Sequence, residues 1–139
     1  MRRNPNNVFI DTNVLIGAHS DNHTDKKCLQ YLYSLKGKRL FISSLSVAQL
    51  VSIFQKKRTN KEIKQILQEL LHKFIIISFV QKDIENAMQF EYSDMEDSIQ
   101  YEISSKFQCG AFITNNIKDY RVFTNINVIK PSKIRIIEQ

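Results

Sequence analysis

The sequence predicts one α/β domain over residues 1–139. We expect a three-layer α/β/α sandwich around a mainly parallel central sheet of about five strands. The first observation is that short apolar runs alternate with longer stretches whose apolar residues recur at helical spacing. The second is that the only prolines, Pro5 and Pro131, lie near the two ends, and no repeat or linker interrupts the chain. Alternating strands and helices form βαβ units, whose right-handed crossovers place helices on both faces of the sheet.

Five apolar runs are interpreted as strands because they are short, continuous and rich in β-branched or aromatic residues. Such runs are typical of strands that are covered on both faces. They are Val8–Ile10, Leu40–Ile42, Phe74–Ile77, Ala111–Ile113 and Val128–Ile129. The segment Lys133–Ile137 alternates like a further edge strand, although the sequence does not place its partner.

The stretches between the strands carry apolar residues on one helical face. The clearest sets are Val47, Leu50, Val51 and Phe54; Ile63, Ile66, Leu67, Leu70 and Leu71; and Met95, Ile99, Ile103 and Phe107. Gly37 and Gly110 are expected at the C′ position, the residue directly after a helix C-cap, where glycine is favoured. The polar segment His19–Asp25 is interpreted as a loop before another helix, with Thr24 or Asp25 as its N-cap.

The composition is that of an ordinary globular domain, with 42% hydrophobic and 24% charged residues, so 139 residues can bury one core. No segment approaches the roughly 18 apolar residues of a membrane helix, and the apolar run near the start is too short for a secretory signal. Cys28 and Cys109 are expected to be buried thiols in a reducing compartment. We therefore expect a cytoplasmic protein without a membrane partner. The net charge of +6 is compatible with a polyanionic partner.

The residues that follow the strands carry the functional argument, because sites in parallel sheets form beyond the carboxyl ends of the strands. Asp11 follows the first strand directly, where it either faces the crevice or caps the next helix. In the second acidic cluster, Ser93 and Glu96 fit a capping box. Asp94 and Asp97 lie three residues apart, on one face of the first helical turn. Taken alone, each cluster is also explained as helix capping.

A third polar cluster follows the strand Ala111–Ile113 and contains Asp119. Asp11, Asp97 and Asp119 thus come from three strand–helix junctions and can converge if the first and fourth strands are neighbours. Converging carboxylates without an interleaved Lys or Arg require a cation, and hard oxygen ligands suit Mg²⁺ or Mn²⁺. Such a site can activate a water and stabilise charge on a phosphodiester.

Four motifs, in order and spanning nearly the whole chain, resemble those of PIN (PilT N-terminal) domains. They are Phe9–Ile16, Ser43–Leu50, Asp94–Tyr101 and Cys109–Tyr120. The resemblance implies the fold described above and a metal-dependent ribonuclease acting on single-stranded RNA. Many bacterial members are VapC-type toxins of type II toxin–antitoxin modules, usually homodimers that a small antitoxin inhibits. The resemblance therefore also implies RNA, an antitoxin and a second copy of the chain as partners.

The resemblance also assigns roles to individual residues. Asp11, Asp97 and Asp119 would be the catalytic, metal-binding carboxylates, and Asp94 would assist them at the metal. Three more residues would complete the site, two through hydrogen bonds and one near the metal: Asn13, Thr114 and Asn116.

Two positions depart from the family pattern. Gln49 stands where the second motif normally carries a glutamate, and Asn115 replaces an arginine common in the fourth motif. One carboxylate fewer is expected to weaken binding of a divalent cation, since affinity follows ligand charge. The alternative to an active nuclease is therefore a catalytically weak or silent protein of the same fold that binds RNA or a protein partner.

Basic and aromatic residues near these motifs are candidates for holding RNA. Lys118 and Arg121 lie closest to the expected site and are predicted to contact phosphates. Tyr92 and Tyr120 either stack on bases or pack in the core or its rim.

Overall fold

The computed structural model describes residues 3–91 and 94–138. Within these ranges, five parallel strands form one sheet in the spatial order β3-β2-β1-β4-β5. Their bounds are β1 Asn4–Ile10, β2 Arg39–Ser43, β3 Ile75–Ile77, β4 Cys109–Ile113 and β5 Asn127–Ile129. The predicted strands and the predicted adjacency of the first and fourth strands are confirmed.

Helices cover both faces of the sheet. They are α1 Thr12–Ala18, α2 His23–Ser34, α3 Ser44–Phe54, α4 Asn60–Lys73, α5 Gln81–Ala87, α6 Met95–Ser105 and α7 Ile117–Tyr120. A 3₁₀ helix, Pro131–Glu138, follows β5. No helix in the described part of the chain is long and apolar enough to cross a membrane.

The sheet separates two apolar clusters, as expected for strands whose successive side chains point to opposite faces. Val8 and Ile10 pack on one side with α1 to α4, whereas Phe9 packs on the other with Phe112 and with Tyr101 of α6. Because both faces are covered, β1 is apolar at successive positions rather than at alternate ones. The predicted three-layer α/β/α architecture is therefore confirmed.

The two cysteines are buried and unpaired with each other, as the sequence predicts. Burial raises the pKa of both thiols, Cys28 and Cys109, to about 12. Both therefore stay protonated at neutral pH, which suits thiols that serve as small apolar groups in the core.

The predicted edge strand Lys133–Ile137 is wrong, because this segment belongs to the 3₁₀ helix Pro131–Glu138. A strand would place Ile134 and Ile136 on the same face. Instead, Ile134 is buried in the core cluster beside α2, and Ile136 is 63% exposed. Alternation over so few residues does not distinguish a strand from a short helix with one anchoring side chain.

Both glycine predictions are wrong. Gly37 has a φ of +82° but lies in the turn before β2, after α2 has ended with Leu35 as its C-cap. Gly110 lies inside β4, where a Cβ would come within 2.6 Å of the Asn4 carbonyl oxygen. The left-handed residue after α6 is Gln108, with a φ of +52°. Gly110 is thus required by the close approach of β1 and β4 rather than by a helix end.

The helix starts also differ from prediction. The N-cap of α2 is Asn22, whose side chain accepts from the Asp25 amide, so neither Thr24 nor Asp25 is the cap. The N-cap of α6 is Asp94, which accepts from the amides of Glu96 and Asp97. Ser93, the predicted cap, lies outside the described residues. Asn and Asp are favoured N-cap residues, and α2 and α6 begin directly after Asn22 and Asp94 respectively.

Candidate active site

The site lies beyond the carboxyl ends of β1 and β4, which are neighbours at the centre of the sheet. Their register pairs Ile10 with Ile113, so the next residues, Asp11 and Thr114, emerge side by side. The Asp11 amide extends this pairing by donating to the Ile113 carbonyl at 2.9 Å. Parallel pairing therefore brings together two polar residues that are 103 positions apart in the chain.

Asp11 is 5% exposed, and the predicted role as the cap of the next helix is confirmed. Its Oδ1 caps α1 by accepting from the Thr12 amide at 2.8 Å. Its Oδ2 accepts from the Thr114 hydroxyl at 2.8 Å and from Asn13 Nδ2 at 3.1 Å. Burial raises the pKa of Asp11, and the hydrogen bonds from Thr114, Thr12 and Tyr120 offset part of that rise. Asn13 and Thr114 are thus both hydrogen-bond donors to Asp11.

Tyr120 joins Asp11 to Asp97. Its hydroxyl donates to Asp97 Oδ1 at 3.1 Å and also lies within hydrogen-bonding reach of Asp11. Tyr120 is fully buried, and its ring centroid lies 4.4 Å from that of Phe112. Base stacking by Tyr120 is therefore excluded, and core packing is the correct interpretation. Tyr92, the other aromatic candidate, lies outside the described residues.

The carboxyl group of Asp97, like that of Asp11, has a raised pKa. Burial, followed by the charges of Asp11, Asp94 and Asp119, raises the pKa of Asp97 to about 6, against the lowering effect of Tyr120. Asp94 and Asp119 are exposed; Asp94 is the N-cap of α6, and Asp119 lies in α7. No Lys, Arg or His among residues 3–91 and 94–138 forms an ion pair with any of these four carboxylates. The cluster is therefore uncompensated negative charge.

These donors fit a divalent cation that keeps part of its water shell. Across the described ranges, no three His, Cys, Asp or Glu side chains lie close enough to enclose an ion together. The Tyr120 hydroxyl, however, connects two carboxylates, those of Asp11 and Asp97. Mg²⁺ is usually bound by one or two carboxylates together with several waters and substrate phosphates, rather than by a full protein cage. The chemistry of the site matches that mode of binding.

A buried polar network borders the site on the side of β2, α3 and α6. Gln100 donates through Nε2 to Thr12 Oγ1 at 3.0 Å and to Ser46 Oγ at 2.9 Å, and its Oε1 accepts from Ser43 at 2.8 Å. Thr12 in turn donates to Gln49 Oε1 at 2.7 Å. Gln49 therefore joins this network next to Asp11, and its carbonyl oxygen accepts one hydrogen bond, from the Thr12 hydroxyl.

The sequence argument assigned no role to Thr12, Ser46 or Gln100. No sequence signal indicated Gln100, because it lies outside the predicted apolar stripe of α6 and is buried together with two other polar residues, Ser98 and Ser104. Buried polar groups are almost always hydrogen-bonded. The burial of Gln100 therefore implies partners elsewhere in the fold, but the sequence does not reveal that burial.

The remaining predicted residues lie on the segment after β4. The Asn116 amide donates to Thr114 Oγ1 at 3.0 Å, while Asn116 itself is exposed. Lys118 lies in α7 next to Asp119, and Arg121 is the C-cap of that helix; both are exposed. The two basic residues therefore flank Asp119 in the chain and are in contact with solvent.

Comparison with known proteins agrees with this fold. The PIN domain family profile matches residues 7–118, which is most of the chain. This protein belongs to the PIN domain family. The match includes Asp11, Asp94 and Asp97 and ends one residue before Asp119.

Individual relatives cover nearly the same length. Ribonuclease VapC1 of Aquifex aeolicus (strain VF5) is 26% identical in an alignment 133 residues long, and the alignment covers 84% of this chain and 86% of that protein. The VapBC2 structure from Rickettsia felis, bound to a promoter DNA fragment, aligns with a TM-score of 0.68 at 19% identity, over 89% of this chain and 98% of the other. A toxin–antitoxin complex from Klebsiella pneumoniae aligns with a TM-score of 0.68 at 23% identity, over 89% and 97%. At these identities the structural likenesses establish the PIN fold.

Proposed function

We propose that this PIN domain is a metal-dependent endoribonuclease that hydrolyses phosphodiester bonds in single-stranded RNA. One observation carries the proposal: Asp11 and Asp97 meet at the Tyr120 hydroxyl, with the charges of Asp94 and Asp119 nearby. Clustered carboxylates without a cationic partner are costly unless a cation binds them. The likeness to Ribonuclease VapC1 supports RNA as the substrate.

Asp11 and Asp97 would hold Mg²⁺ or Mn²⁺, with Asp94 and Asp119 as further acidic ligands or holders of its water. Such an ion supplies a bound water of lowered pKa and neutralises charge at the phosphodiester. The chain's own contribution is orientation. Thr114 and Asn13 both donate to Asp11 Oδ2, so this carboxylate is fixed while its charge stays available. Exposed Lys118 and Arg121 would contact the RNA backbone from α7.

We further propose that the protein acts as the toxin of a type II toxin–antitoxin module, with a small cognate antitoxin as its partner. Support comes from the comparison structures described as VapBC2 and as a toxin–antitoxin complex, which share this fold over almost their entire length. The proposed homodimer rests on the family resemblance of the sequence.

The function is tested by incubating single-stranded RNA with the wild type, Asp11→Asn and Asp21→Asn, each with Mn²⁺ and with a chelator. Asp21 is an exposed carboxylate outside the site, so Asp21→Asn makes the same chemical change away from the carboxylate cluster. We expect metal-dependent cleavage by the wild type and by Asp21→Asn, and loss of cleavage by at least about 100-fold in Asp11→Asn. Equal cleavage by all three proteins, or cleavage that persists in chelator, would refute the proposal.

A second candidate function is binding of RNA or a protein without cleavage. Gln49 favours it, because this position brings no charge to the metal and its carbonyl oxygen already accepts one hydrogen bond, from Thr12. Metal-independent RNA binding by the wild type, with no cleavage under any metal condition, would establish this second function in place of the first.

A further inference from the structure

Asp25, on the first turn of α2, is a buried carboxylate outside the proposed metal site. It is 1% exposed, and no cationic side chain within the described residues lies at ion-pair distance from it. Burial raises its pKa, and its hydrogen bonds from Asn115 offset part of the effect. A carboxylate in such a position destabilises the fold unless hydrogen bonds compensate it. Asn22 already caps α2, so the role of Asp25 is to be sought in its contacts with the rest of the fold.

The backbone of α1 makes room for this carboxylate. A Cβ on Gly17 would overlap Asp25 Oδ2 and would lie 2.8 Å from Asp25 Cγ. The Asp25 side chain thus rests directly on α1, the helix that begins immediately after Asp11. The contact between α1 and α2 therefore includes the carboxylate of Asp25 packed on Gly17.

Hydrogen bonds lead from Asp25 to Asp11 through two amides. Asn115 Nδ2 donates to Asp25 Oδ1 at 3.1 Å and to Oδ2 at 3.3 Å. The Asn115 backbone amide donates to Asn13 Oδ1 at 3.1 Å, and Asn13 Nδ2 donates to Asp11 Oδ2 at 3.1 Å. The side-chain amides of Asn13 and Asn115 cannot be flipped to exchange their oxygen and nitrogen atoms, because carboxylates only accept and a backbone N–H only donates. The direction of every bond in the series is therefore determined by chemistry.

We propose that Asp25 is a positioning residue that anchors Asn115, and through it Asn13, so that Asn13 holds the Asp11 carboxylate in one orientation. The consequence for metal binding rests on the function proposed above, whereas the orientation of Asp11 does not. Groups that orient a metal ligand are worth about 10- to 100-fold in metal affinity. Asp25 acts through two intermediates, so we expect the lower end of that range.

The first test is NMR spectroscopy of the metal-free protein. In Asp25→Ala, we expect shifts of the Asn13 side-chain amide and of the Thr12 backbone amide, which donates to Asp11 Oδ1. Asp25→Asn keeps one accepting oxygen for Asn115 and should retain most of the wild-type signals. Asp21→Ala removes an exposed charge just before α2 and should leave both signals unchanged. A purely helix-stabilising role of Asp25 would leave the Thr12 and Asn13 signals in place, which would overturn the proposal.

The second test is Mn²⁺ titration of the same variants. We expect Asp25→Ala to bind Mn²⁺ about 10-fold more weakly than the wild type, and Asp25→Asn to bind it nearly as well as the wild type. Adding Asn115→Ala to Asp25→Ala should cause no further loss of Mn²⁺ affinity, because the two residues act in series. Gly17→Ala should reproduce the effects of Asp25→Ala by displacing the carboxylate, and it carries the comparison if Asp25→Ala does not fold. Additive losses in the double variant would refute the series. Absence of Mn²⁺ binding by the wild type would refute the proposed function alone, since the metal-free spectra would still decide the role of Asp25.

Discussion

The Tyr120 hydroxyl lies between two carboxylates, and its removal by Tyr120→Phe separates the contribution of that one group. The ring is fully buried and packs on Phe112, so phenylalanine preserves the packing and leaves Asp11 and Asp97 without their shared partner. A hydrogen bond to a charged group contributes about 1.5–3 kcal/mol. In metal-free protein, the free energy of unfolding should therefore fall by about 1.5–3 kcal/mol. A cation bound between the carboxylates would replace the missing donor, so the deficit should shrink in saturating Mn²⁺.

The assay is urea denaturation at pH 7, with chelator and with Mn²⁺. Tyr101→Phe is the matched control, because the Tyr101 hydroxyl donates to Asn125, a neutral partner away from the carboxylates. Its deficit should be about 0.5–1.5 kcal/mol and should be equal in chelator and in Mn²⁺. An equal deficit for Tyr120→Phe in both conditions would show that no cation takes the place of the hydroxyl, and the proposed location of the metal would be wrong.

Three further predictions concern the same fold and site. Gln49→Glu should tighten Mn²⁺ binding by adding a carboxylate beside Thr12, whereas the same change at exposed Gln55 should not. If calorimetry gave the wild type and Gln49→Glu equal affinities for Mn²⁺, residue 49 would lie outside the metal's surroundings. Gly110→Ala should lower the free energy of unfolding by about 1–3 kcal/mol, because the new Cβ meets the Asn4 backbone; an unchanged urea midpoint would contradict the close approach of β1 and β4. Lys118→Ala and Arg121→Ala should each lower the slope of log K against log[salt] for RNA binding by about one unit. Lys36→Ala should leave that slope unchanged, because Lys36 lies in the turn before β2, at the opposite ends of the strands.

The strands could be predicted because burial on both faces makes each a continuous apolar run. Val8, Phe9 and Ile10 alternate between two different cores, and each of the three is buried. This signal is local, so it survives without knowledge of the tertiary structure. It also predicts Asp11, since the first polar residue after a buried strand lies at the edge of the sheet where parallel strands end.

The supporting residues could not be predicted, because their partners are distant in the chain. Gln100 and Thr12 are 88 positions apart, and Asn115 and Asp25 are 90 apart. Nothing in the neighbourhood of Asp25 distinguishes a helix cap from a buried anchor, and its place on Gly17 exists only in the folded protein. Tyr120 illustrates the same point, since its position near the site left stacking and packing equally open until its burial was known.

The errors in the sequence prediction arise where one residue type serves several purposes. Glycine suits a helix end, a turn or a close backbone contact, and Gly110 fills the third role. The alternation around Ile134 and Ile136 suits an edge strand or a short helix, and only the packing of Ile134 near α2 decides for the helix. Local sequence patterns limit the possible conformations of a segment, and long-range packing decides which of them the segment adopts.

The central claim is that the uncompensated carboxylates around Tyr120 form a divalent metal site. It is tested most directly by calorimetric titration of Mn²⁺ into the wild type, Asp97→Asn and the control Asp21→Asn, followed by RNA cleavage at a saturating Mn²⁺ concentration. We predict binding by the wild type and by Asp21→Asn, loss of binding in Asp97→Asn, and cleavage only by the proteins that bind. Absence of binding by the wild type, or equal binding by Asp97→Asn, would contradict the claim.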